Sequence, residues 1–82
     1  MATIESLQAM LERQLIKGLA QAHAAAETEV ERQRHYAALA DLIEHVDPTL
    51  DVTLLDPITA ARLERLGLWA CWQRAAARAP RG

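Results

Sequence analysis

Residues 22–46, AHAAAETEVERQRHYAALADLIEHV, contain neither glycine nor proline, so no residue in this run forces the backbone out of a helix. Upstream, apolar residues recur in steps of three and four, which is the spacing of one face of an amphipathic helix. This pattern predicts a helix over residues 4–25, capped by Thr3, with Glu5 in its first turn. The apolar stripe that we expect to pack against the core consists of Ile4, Leu7, Leu11, Leu15, Leu19, Ala22 and Ala26.

The stretch that follows has two interpretations. It either continues the first helix to about residue 46, or turns near residues 24–28 and begins a second helix over residues 29–46. Thr28 and Glu31 have the spacing of a capping box, and a helix of about 40 residues is unusual in a small domain. We therefore favour a hairpin. The apolar set of its second helix is Val30, Tyr36, Leu39, Leu42, Ile43 and Val46.

Two Asp-Pro pairs bracket a connector over residues 47–56, in which leucine and valine alternate with polar residues. We expect a packed connector rather than a strand, since a lone strand has no pairing partner. Asp56 and Pro57 then open a third helix, predicted over residues 57–79, although Gly67 offers an earlier end. The apolar residues on one side of this helix are Ile58, Ala61, Leu68, Trp69, Trp72 and Ala76.

The predicted fold class is therefore all-α, one small domain of residues 1–82 with an antiparallel helical hairpin and a third, C-terminal helix. Seventeen alanines and only nineteen bulky aliphatic residues give such a chain a thin core. We expect that core to be completed by a homo-oligomer or a protein partner. This layout resembles small helical-hairpin co-chaperones of bacterial secretion systems, and equally small phage-encoded inhibitors of host proteins. Neither resemblance supplies a residue to carry over.

No stretch carries a catalytic motif. Ser6 and Cys71 are the only serine and cysteine, and neither lies in a glycine-rich turn that would present a nucleophile. Two acid–histidine pairs, Glu31 with His35 and Asp41 with His45, have helical i, i+4 spacing, which is more typical of exposed surface pairs than of a metal site. The sequence predicts a non-enzymatic protein with no catalytic residues, no metal and no cofactor.

Charge is unevenly distributed along the chain. Residues 1–56 hold ten acidic and four basic side chains, whereas residues 57–82 hold one acidic residue and five arginines. The arginines support an alternative function as a small nucleic-acid-binding or regulatory protein. The chain shows neither a secretory signal nor an apolar membrane span, so we expect a cytoplasmic protein without a membrane partner. The arginine and alanine bias is typical of a bacterial or phage genome.

The function that we expect is a protein–protein interaction module of the adaptor, co-chaperone or inhibitor type. Tryptophan beside arginine is an enriched combination at protein interfaces. Of the two tryptophans, we expect Trp69 to be a core residue and Trp72 to face the partner. The expected partner-binding residues are Trp69, Trp72, Arg62, Arg65 and Leu68.

Overall fold

The computed structural model describes residues 5–77. All regular secondary structure among these residues is helical, and they contain no strand. The helices are α1 (Leu7–Ala25), α2 (Glu29–Glu44), α3 (Pro57–Arg65) and α4 (Trp69–Ala77), with a short 3₁₀ turn at Val52–Leu54. The predicted all-α class is confirmed. The predicted count of three helices is wrong, because the C-terminal helix is divided in two.

The first helix begins later than the sequence pattern predicts. The Ser6 hydroxyl accepts a hydrogen bond from the Ala9 backbone N–H at 3.0 Å, so Ser6 caps α1. The Ser6 N–H in turn donates to the Thr49 hydroxyl at 2.8 Å, and this tertiary contact fixes residue 6 ahead of the helix. The predicted cap at Thr3 and the placement of Glu5 inside the first turn are therefore wrong. Residue 4, the predicted start, lies outside the described residues.

The chain leaves the helical path at residues 26–28 and does not form one long helix through residue 46. The Thr28 hydroxyl accepts from the Glu31 N–H at 3.2 Å and caps α2, as its spacing predicts. The Arg32 guanidinium donates to the Ala26 carbonyl at 3.3 Å across this turn. Beyond the end of α2, the Asp47 N–H donates to the Glu12 carboxylate of α1 at 2.8 Å. Since the end of α2 meets the beginning of α1, the two helices run antiparallel.

The connector is built from a repeated Asp-x-Thr-Leu motif, DPTL followed by DVTL. Asp47 accepts hydrogen bonds from the Thr49 backbone N–H at 2.8 Å and from its hydroxyl at 2.6 Å. Asp51 accepts the same pair from Thr53 at 2.9 and 2.6 Å. Between the two turns, Leu50 is buried in the core. The connector is therefore packed, as expected, but it is a succession of turns rather than extended chain.

Gly67 divides the predicted helix over residues 57–79. Its φ of 75° lies in the left-handed region, which side chains other than glycine rarely adopt. The Leu68 N–H donates to the Leu63 carbonyl at 2.8 Å and the Gly67 N–H to the Glu64 carbonyl at 3.1 Å. These two bonds form a Schellman motif, in which the residue after the glycine packs against the last helical turn. Leu63 and Leu68 are accordingly both buried.

Asp56 caps α3, since its carboxylate accepts a hydrogen bond from the Thr59 N–H at 3.1 Å. The same carboxylate also accepts from the buried Thr59 hydroxyl at 2.8 Å.

All four helices and the connector contribute to one buried cluster, in which α1 supplies mostly small side chains and α4 supplies the largest one. The apolar members of the cluster are Ala9, Ile16, Ala20, Leu39, Ile43, Leu50, Leu63, Leu68, Trp72 and Ala75.

Candidate protein-binding face

The first helix has two opposite apolar faces, and the one richer in leucine points away from the core. Leu7, Leu11 and Leu15 are 71%, 58% and 56% exposed. We call these three residues the α1 leucine face. Successive residues of a helix are about 100° apart, so the three lie within a stripe centred on Leu11. The prediction that these three leucines pack against the core is wrong.

The buried face of α1 consists of Ala9, Ile16 and Ala20, together with the carboxylate end of Glu12. Small side chains at a helix contact allow a short interaxial distance, because that distance depends on the side chains between the helices. Glu12 is 7% exposed and accepts hydrogen bonds from Asp47 N–H and from the Gln8 amide at 2.9 Å. The alanines and this buried carboxylate therefore determine which side of α1 meets the rest of the fold.

The margins of the α1 leucine face are uncharged over its whole length. Gln8 lies on one side of the stripe and Gln14 on the other, and both are exposed. Gly18 continues the stripe, and a Cβ placed on it would meet no atom within 4 Å. Packing within the chain therefore does not require glycine at this position. An exposed row of three leucines with neutral polar margins has the character of a protein-binding surface.

The two tryptophans take positions opposite to those expected from the sequence. Trp72 is fully buried and Leu68 is 2% exposed, whereas Trp69 is half-buried. The expectation that Trp72 is the exposed member of the pair is wrong. The physical reason is the break at Gly67, since a helical wheel drawn through residues 57–79 does not apply to two separate helices.

The remaining predicted partner-binding residues lie on α3, where Arg62 is half-buried and Arg65 is exposed. Ile58, on the same helix, is 64% exposed, and Leu63 on the opposite side is buried. The structure thus brings Trp72 and Leu68 into the core and leaves Arg65 at the surface, so the five residues do not form one exposed patch. A role in partner binding for Trp69, Arg62 and Arg65 stays a prediction.

The buried ring of Trp72 has one unusual feature. Its Nε1–H is buried, and none of residues 5–77 provides it with a hydrogen-bond acceptor. On the same helix, Cys71 is half-buried, and the Arg74 guanidinium lies 3.1 Å from the Cys71 sulfur. Leaving a buried donor unpaired costs about 1–3 kcal/mol. Burial of the large ring must outweigh this cost for Trp72 to occupy the core.

An open cleft of about 330 Å³ lies beside the α1–α2 turn. Three of its polar side chains are engaged with one another, since Glu29 accepts from Arg32 at 3.1 Å and from Gln33 at 3.4 Å. The rings of His23 and Tyr36, which also line it, are 6.4 Å apart between centroids. The residues that line the cleft do not identify a ligand.

Among residues 5–77, no three histidine, cysteine, aspartate or glutamate side chains converge as a metal site would require. His45 and Asp41 form an exposed pair with 3.4 Å between Nδ1 and the carboxylate oxygen, which is the surface arrangement that the i, i+4 spacing predicts. Within the same range, no helix combines the length and the apolar character needed to cross a bilayer.

Comparisons of the chain with models of known protein families, with curated proteins and with solved structures gave no match. The candidate site therefore depends on geometry alone. Its residues, Leu7, Leu11 and Leu15, are visible in the sequence as an apolar stripe, but hydrophobicity alone predicts that this stripe is buried. The signal that distinguishes the two cases is the second stripe of Ala9, Ile16 and Ala20 on the opposite side of the same helix.

Proposed function

We propose that the protein is a non-enzymatic protein–protein interaction module, of the adaptor, co-chaperone or inhibitor type, that binds its partner through the α1 leucine face. The observation that carries the proposal is the exposure of Leu7, Leu11 and Leu15 on the side of α1 opposite the core. Fully burying a leucine side chain is worth about 1.5–3 kcal/mol. Covering the three together would supply the apolar centre of an interface.

The size of the chain supports the same proposal. A domain of this length buries only about 60–65% of the surface that its unfolded chain exposes, and the buried face of α1 consists of two alanines, one isoleucine and one glutamate. The largest apolar side chains of α1, apart from Ile16 and Leu19, contribute little to folding. A partner that covers them would therefore add stability to the folded chain by mass action.

Arginine at the centre of the face should abolish partner binding without affecting the fold. Leu11→Arg places a charge among the three leucines, and Ala37→Arg places the same side chain on the exposed outer side of α2. We expect proteins that co-purify with the wild type and with Ala37→Arg to be lost with Leu11→Arg. In a titration with a protein so identified, Leu11→Arg should weaken binding by about 2 kcal/mol or more.

Circular dichroism of both variants checks that the helices are retained. Equal binding by Leu11→Arg and Ala37→Arg would contradict the proposal. Binding to nucleic acid that weakens steeply with salt and is unaffected by Leu11→Arg would instead favour the arginine-based alternative.

A further inference from the structure

We draw no further inference here: the strongest candidate, the exposed α1 leucine face as a docking surface for one particular occupant, carries none, because nothing in the part of the chain that the structure describes shows what covers it.

Discussion

The carboxylate of Glu12 in α1 accepts a hydrogen bond from the backbone N–H of Asp47 at 2.8 Å, which joins the N-terminal half of the first helix to the residue where the connector begins. Glu12 is buried at 7% exposure. Around it, Ser6 N–H donates to Thr49 and Asp51 N–H donates to Glu5 at 3.2 Å. The carboxylates of Glu5 and Glu12 and the backbone N–H of Ser6 thus hold the connector in place and fix the rotation of α1.

Removing the Glu12 carboxylate should destabilise the fold. Glu12→Ala leaves the Asp47 N–H without its acceptor, and we expect a loss of about 1.5–3 kcal/mol in the free energy of unfolding. Glu12→Gln keeps an acceptor oxygen and should lose less. Gln14→Ala, at an exposed position of the same helix, is the control and should change stability by less than about 0.5 kcal/mol. Urea denaturation followed by circular dichroism measures all three, and equal values for Glu12→Ala and Gln14→Ala would contradict this role.

The two tryptophans should differ in their contribution to stability. Trp72 is fully buried and Trp69 only half-buried, so Trp72→Ala should cost about 3–5 kcal/mol, enough to unfold much of a small domain. Trp69→Ala should cost less than half as much. Trp72→Phe keeps an aromatic ring and removes the unpaired N–H, and should fold. Thermal melts of the three variants test the order, and a larger loss for Trp69→Ala would reverse the assignment.

Replacing each of the two glycines among residues 5–77 with alanine should change the stability of the fold in opposite directions. Gly67 has a φ of 75°, where an alanine costs about 1–2 kcal/mol. Gly18 lies in regular helix with open space around its Cα, so Gly18→Ala should stabilise the monomer by about 0.5–1 kcal/mol. Chemical denaturation of both variants provides the test. Stabilisation by Gly67→Ala would mean that α3 and α4 form one helix in solution.

Acid should destabilise the connector and the start of α3. Hydrogen bonds from Thr49, Thr53 and Thr59 hold the pKa values of Asp47, Asp51 and Asp56 below the usual 3.8. A group whose pKa is lowered in the folded state stabilises that state above its unfolded pKa, and this contribution disappears as the pH falls through the folded pKa. We expect the melting temperature to decrease once the pH is below about 4.

Asp56→Asn is the matched variant for this prediction. Asparagine caps helices about as well as aspartate, so stability at pH 7 should change little, while the acid dependence should become shallower. A melting temperature that falls equally in both proteins would show that Asp56 does not contribute to the pH dependence.

Local chemistry explains why parts of the fold could be predicted from the sequence. Thr28 and Asp56 cap the helices that follow them, and each side chain accepts a hydrogen bond from the backbone N–H three residues later. Thr3 and Ser6 are both suitable caps for α1, and the choice of Ser6 depends on Thr49, a contact 43 residues away. That information is not contained in the local pattern. Gly67 indicates a possible end of the helix in the sequence, but the helix-forming residues on both sides of it favour one continuous helix.

The orientation of α1 could not be predicted for a similar reason. Hydrophobicity favours Leu7, Leu11 and Leu15 as the buried side, whereas the fold buries Ala9, Ile16 and Ala20. When a helix has apolar residues on two sides, its periodicity alone does not indicate which side is buried. The buried acceptor Glu12 selects one side through the Asp47 N–H, and the leucine side is then left exposed.

The most direct test of the α1 leucine face is an NMR titration of the wild-type protein, labelled at its leucine and isoleucine methyl groups, with a protein that co-purifies with it. If the face is the binding site, the methyl resonances of Leu7, Leu11 and Leu15 change as the second protein is added, while those of the buried Leu39 and Ile43 stay constant. Methyl resonances of the three α1 leucines that do not change when the second protein is bound would contradict the account.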